Sequence, residues 1–171
     1  MKLTVRELTN PDIDLVLSYF FKADAETLNQ MGVDPGKLPQ KADWELMFLS
    51  DMHLSVKDKK FYHLIWEQEG RPVGHATIDR ISFRREAYMS FYSWDPADFQ
   101  EDNCIELLQN SVDRFFRVFQ LKSLFCVPPS NNRVFCQVLE KVDFKKTETL
   151  QEGSGGWIST SQAADLWELS R

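Results

Sequence analysis

The feature that most constrains this chain is a run of three strand-like segments over residues 62–94, followed directly by a long amphipathic helix. Tyr62-His63-Leu64-Ile65-Trp66 opens the run, and Glu69-Gly70-Arg71-Pro72 turns it. A second strand covers 73–81, Phe83-Arg84-Arg85-Glu86 turns again, and a third strand covers 87–94. Connections this short join antiparallel neighbours, because a parallel crossover needs a dozen residues or more. Over 101–119, Cys104, Leu107, Leu108, Val112, Phe115, Phe116 and Phe119 recur at helical spacing and make one apolar stripe. The stripe needs a sheet to cover.

The flanking segments extend the same layout. Leu3, Val5 and Glu7-Leu8 read as a first strand, ended by Thr9-Asn10-Pro11. Asp12 is the expected cap of a helix over 13–21, where Ile13, Val16, Leu17, Tyr19 and Phe20 keep helical spacing. A helical turn over 25–31 breaks at Gly32-Val33-Asp34-Pro35-Gly36, and a helix over 43–54 carries Trp44, Met47, Phe48 and Leu49. After the long helix come a short strand over 122–127, closed by Pro128-Pro129, and a helix capped by Asn131 or Asn132. Strands over 144–151 and 165–169 finish the chain, separated by Gly153-Ser154-Gly155-Gly156. This order predicts an α+β fold, with helices packed on a mixed, mostly antiparallel sheet. A length of 171 residues fits a single domain over 1–171 that folds without disulfides.

Composition narrows the function classes. Twenty Lys and Arg against 26 Asp and Glu leave a net charge of −6. That balance opposes nucleic-acid binding and docking on an anionic membrane, and suits a cationic substrate or basic peptide. No window approaches the ~20 apolar residues of a membrane span. The opening MKLTVREL reads as a strand and not as an apolar targeting segment. Three cysteines without a CxxC pair point to a reducing cytoplasm. His53, His63 and His75 have no metal-ligand spacing, so no metal is expected.

The element order, together with local sequence, resembles the GNAT superfamily of acyl-CoA-dependent N-acyltransferases. Asn132 and the segment Val138-Leu139-Glu140-Lys141-Val142-Asp143-Phe144 are similar to that family's Asn and LeuGluLysXxxGlyPhe segment. Asp24, Met31-Gly32-Val33-Asp34-Pro35, Leu38-Pro39, Gly74-His75, Glu86-Ala87-Tyr88-Met89, Trp94 and Trp167-Glu168-Leu169 look like the ribosomal-protein-acetyltransferase branch. The resemblance implies a sheet that splays between the strand ending at Trp94 and the strand over 124–127. The gap would take the pantetheine arm of acetyl-CoA, whose pyrophosphate would sit on the helix after Trp94. Ser93, Trp94, Asn103, Cys104 and Asn132 would help hold it. The chain departs from the family's Arg/Gln-x-x-Gly-x-Gly/Ala loop: the aligned positions read Phe99, Asp102 and Cys104, or Gln100, Asn103 and Ile105. Asp98, Glu101 and Asp102 stand there too. Asp143 replaces a glycine, and Leu139 and Phe135 occupy the positions of the usual Tyr or Ser acid.

Acyl transfer to an amine needs a base and a proton donor for the leaving thiolate. His75 is the base candidate, with a water as alternative, and Tyr92 is the candidate donor. With the hairpin centred near Arg84-Arg85, Trp94 falls opposite His75 and Tyr92 opposite Thr77, all on one face. The plainer readings are a partly exposed strand histidine and a packed tyrosine. Asp79 reads as a solvated residue, and Lys145-Lys146 as solvated strand charges. Cys126 and Cys136 read as small apolar filler, Asn132 reads equally as a helix cap, and Trp157 is the aromatic expected over a cleft. The implied function is an acetyl-CoA-dependent N-acetyltransferase for a small-molecule or peptide amine, working as monomer or homodimer. The alternative is a degenerate module of the same fold that no longer binds CoA.

Overall fold

The structure, a computed structural model, describes residues 1–151 and 158–171. Trp157 and the Gly153-Ser154-Gly155-Gly156 segment lie outside the described residues. The strands are β1 (Leu3–Glu7), β2 (Tyr62–Gln68), β3 (Arg71–Ser82), β4 (Glu86–Ser93), β5 (Ser123–Cys126), β6 (Lys145–Leu150) and β7 (Ala164–Ser170). The helices are α1 (Asn10–Lys22), α2 (Ala25–Gln30), α3 (Lys41–Met52), α4 (Glu101–Phe119) and α5 (Arg133–Lys141). One seven-stranded sheet runs in the order β1-β2-β3-β4-β5-β7-β6. Every pair is antiparallel except β4 with β5.

Strand alternation sorts side chains to the two faces. Leu64, Trp66, Ala76, Ile78, Met89 and Phe91 point to a core shared with α4 and α5, where the Phe91 and Phe135 rings stack at 4.0 Å. Ile65 and Tyr92 point the other way, under Ile13, Leu17 and Phe20 of α1 and Trp44 and Phe48 of α3. In the first core Trp66 Nε1 donates to Ser111 Oγ at 2.8 Å, which satisfies a buried donor between sheet and α4.

Three local expectations are corrected. Helix α1 begins at Asn10, not after Asp12; Thr9 is the cap, and Asp12, one turn in, accepts from the Thr9 N–H at 2.8 Å. Arg6 clamps the same carboxylate through two nitrogens, at 2.6 and 2.9 Å. The β3–β4 register also moves by two residues. His75 lies opposite Tyr92 and Thr77 opposite Ser90: the turn pairs Ser82 with Glu86 and so centres on Arg84, and a bulge between Asp79 and Ser82 adds one further residue to β3. Arg80 and Arg84 take the positive φ values, 47° and 64°, that the bulge and the turn require. A shift of two preserves the faces, so His75, Thr77 and Tyr92 still share one side. Lys146 is not simply solvated, since its ammonium lies 3.0 Å from Asp165.

Candidate active site

β4 and β5 part company midway. Their parallel pairing covers Glu86 to Met89 on β4, where Met89 meets Cys126, and β4 then continues to Ser93 without β5 beside it. Pro128 and Pro129 follow the last paired stretch and carry no N–H to continue the ladder. Residues 90–93 therefore present backbone groups to a gap on the β5 side. This is the splay that the resemblance implied.

On the α1–α3 side of the sheet, beside that gap, lies a cavity of about 240 Å³. His63 of β2, His75, Thr77 and Asp79 of β3, and Ser90 and Tyr92 of β4 line it below, and Trp44, Phe48 and Met52 of α3 line it above. The His75 and Tyr92 rings stack at 4.9 Å. Tyr19 and Phe20 of α1 close over them at 5.5 and 5.1 Å from Tyr92.

His75 is fully buried, which corrects the reading of a partly exposed strand histidine. Burial pushes its pKa well below the ordinary value of 6.5, and the neighbouring His63 adds to the effect. The ring is neutral at pH 7. Its Nδ1 accepts a hydrogen bond from Trp94 Nε1 at 2.8 Å. An indole N–H can only donate, so Nδ1 carries the lone pair and the ring proton sits on Nε2. Among the described residues His75 Nε2 and Thr77 Oγ1 are buried without a protein partner. The ring thus carries an N–H at Nε2 where a lone pair was expected. Using Nε2 as a base would require the tautomer that breaks the Trp94 bond.

Asp79 is not a solvated residue either. It is half-buried, burial raises its pKa, and the adjacent Arg80 Nε at 3.1 Å partly offsets this. Burial also raises the pKa of the Tyr92 hydroxyl, so Tyr92 holds its proton at neutral pH. Two other acids at the rim are already engaged. Asp51 accepts from the Lys60 N–H at 2.7 Å, and Glu7 accepts from the Tyr62 hydroxyl at 2.5 Å. Of the lining groups, His63 and Asp51 were missed from sequence; strand alternation could have placed His63 beside Thr77, whereas Asp51 gives no local signal.

The remaining expected residues fall elsewhere. Ser93, Asn103 and Cys104 come together at a shallow hollow beside the first turn of α4. Cys104 turns into the core, and its N–H donates to Gln100 O at 2.9 Å, so it has no free donor for a phosphate. Asn103 Nδ2 donates to Gln100 Oε1 at 3.2 Å, and Ser93 Oγ to Asp95 O at 3.2 Å. Asn132 caps α5 by accepting from the Phe135 N–H at 3.1 Å, and its Nδ2 donates to Gln30 O at 2.9 Å. It ties α5 to α2. Burial pushes the Cys126 and Cys136 thiols up, as filler residues require.

The fit to acetyl-CoA divides along the cleft. Unpaired backbone at residues 90–93 suits a pantetheine arm. At the far end no side chain caps α4, so its first N–H groups have no capping partner. Glu101 and Asp102 lie in that same turn, and no glycine lies between positions 99 and 104. Arg71 pairs with Asp98 at 2.6 Å, and Lys141 pairs with Glu101. Both cations at this end of α4 are thus paired with carboxylates.

No family model matches the sequence, and no curated protein matches it either. Solved structures do. A spermidine N-acetyltransferase from Vibrio cholerae, solved with CoA and spermine, superposes with a TM-score of 0.79 at 15% identity, covering 98% of this chain and 95% of that one. The ribosomal-protein-S5-alanine acetyltransferase of Vibrio fischeri gives 0.76 at 13% identity over 99% and 93%. A ribosomal L7/L12 α-N-protein acetyltransferase in complex with CoA gives 0.78 at 10% identity over 99% and 94%. The chain has the fold of the GNAT acetyltransferases over nearly its whole length.

Proposed function

We propose that this chain is an acetyl-CoA-dependent N-acetyltransferase for an amine of a small molecule or a peptide N-terminus, working in the cytoplasm. One observation carries the reading: the cavity floored by His75, Thr77 and Tyr92 abuts the gap where β4 outruns β5. An amine in the cavity and an acyl donor in the gap would meet at residues 90–93. When bound, acetyl-CoA supplies a thioester whose carbonyl carbon the amine nitrogen attacks, while the sulfur leaves and takes up a proton.

The protein's own residues would do the rest. Backbone groups of residues 90–93, with Ser93 and Trp94 at the strand end, would hold the arm. The first turn of α4, including Asn103, would meet the pyrophosphate. Trp94 fixes the His75 tautomer, and His75 orients the acceptor through Nε2–H. A water removes the ammonium proton, because His75 has no free lone pair. Tyr92, kept protonated by burial, is the assigned donor to sulfur.

The acidic turn of α4 favours a second reading, a module of this fold that no longer takes CoA. Titrating acetyl-CoA by calorimetry and thermal shift separates the two. At 100 times its dissociation constant the ligand should stabilise the fold by ~2.7 kcal/mol. Silence at millimolar acetyl-CoA and at millimolar CoA selects the second reading.

A further inference from the structure

The acyl donor of the proposed reaction would lie across a cleft with two unlike ends. At one end β4 runs on past its last partner in β5, over residues 90–93. At ~3.3 Å per residue that is about 13 Å of open strand edge. An open edge of this kind bonds an extended amide chain in the manner of an added strand. The pantetheine arm is such a chain: it carries two amides and no charge.

The other end is set against anions. Ser93 and Asn103 line one hollow, so the strand end and the start of α4 are neighbours. An uncapped helix start offers an anion about half a positive charge. Glu101 and Asp102 bring two negative charges to that turn, and Lys141, paired with Glu101, returns one. Asp95 and Asp98 stand just before the helix, and Asp98 engages the Arg71 guanidinium at 2.6 Å. The balance of charge here is negative. Positions 99–104 hold no glycine, so side chains stand where a phosphate cradle needs bare backbone. CoA would bring a pyrophosphate and a further phosphate to this end, and like charges there repel.

We infer that this chain recognises its acyl donor by the pantetheine arm alone, bound along residues 90–93, and that the nucleotide end of CoA contributes no net affinity. The donor class is then pantetheine thioesters at large, whether the arm ends in a nucleotide, in a single phosphate or in a free hydroxyl. The inference rests on the acetyltransferase reading for the place of the donor in the gap. Which part of the donor is held is measured by binding, without any transfer.

The test is calorimetric titration of the full chain with acetyl-CoA, with S-acetyl-4′-phosphopantetheine and with S-acetyl-pantetheine, each at low and at moderate salt. At moderate salt the three are expected to bind within about fivefold of one another. At low salt acetyl-CoA should bind more weakly than S-acetyl-pantetheine, and its affinity should rise severalfold as salt screens the carboxylates. S-acetyl-pantetheine, uncharged, should not respond. Adenosine 3′,5′-bisphosphate, which lacks the arm, should not bind at millimolar concentration. A larger advantage of acetyl-CoA, an affinity for it that falls as salt rises, or binding of the bisphosphate overturns the inference and leaves the acetyltransferase reading in place. Binding of S-acetyl-pantetheine with silence towards acetyl-CoA keeps the inference and removes CoA as the donor. Silence towards all three thioesters overturns both.

Discussion

Trp94 and His75 form the pair on which the site's protonation depends. The indole at the end of β4 donates to His75 Nδ1 from the same strand that borders the gap. Trp94→Phe removes the donor and leaves a buried acceptor, so the fold should lose about 1–3 kcal/mol in urea unfolding. Nitrogen NMR of the histidine ring should find the proton on Nε2 at pH 7 in the parent protein. A proton on Nδ1 would contradict the assignment. Gly74, next in the strand, pairs with Ser93, and a Cβ there would overlap the Tyr92 carbonyl oxygen. Gly74→Ala should therefore push β3 and β4 apart and cost about 1–3 kcal/mol; an unchanged denaturation midpoint would refute the close approach. At this scale, alternation in the sequence was enough to put His75, Thr77 and Tyr92 on one face. Their pairing was not legible, because the bulge at Arg80 has no sequence mark beyond an ordinary arginine at positive φ.

Helix α4 shows how an element can be predictable while its role is not. Its apolar stripe set its limits from sequence alone, at Glu101 and Phe119. Its N-terminus is the difficulty. Anions are favoured there by the free N–H groups, yet Glu101 and Asp102 already occupy the first turn. Neutralising them, as Glu101→Gln and Asp102→Asn, should tighten acetyl-CoA binding by roughly two- to fivefold each, at low salt. The first change also frees Lys141. Unchanged affinity would place the pyrophosphate elsewhere. The other departures from the resembled pattern are milder. Asp143 stands where a glycine was expected and adopts φ 67°, a left-handed conformation that Asp tolerates, so α5 ends as a glycine would end it. Asn132 is a cap in fact, and a latch as well, through Gln30. The cap could be read locally. The latch could not, since it joins residues 102 positions apart.

For the molecule as a whole, burial of the imidazole links stability to pH. His75 has a folded pKa well below 6.5, so the unfolded chain binds its proton first as pH falls. Stability is present above pH 6.5 and declines as pH falls below it, where the unfolded chain takes up the proton that the folded ring refuses. His75→Gln should make that decline shallower in urea unfolding, leaving the share of His63, whose pKa burial lowers to about 3; an equal slope would mean the His75 ring takes up a proton in the folded state. A separate acid loss belongs to Asp12, whose carboxyl the Arg6 clamp and Thr9 hold at about 2 despite burial. Its stabilisation is complete above the ordinary 3.8 and disappears towards pH 2. The layout of the molecule was legible because each element carries its own period. The cavity was not, because it is made where α3, the strand end and the splay meet, and no single segment records that meeting.

The central claim is that amine cavity and splay work together in acyl transfer. The direct measurement follows free thiol released from acetyl-CoA as an amine, either phenethylamine or the tripeptide phenylalanyl-alanyl-alanine, is added to the protein. The account predicts release that saturates with amine, is absent without it, and falls in the Trp94→Phe variant. No amine-dependent release at millimolar acetyl-CoA, with either amine, would contradict it.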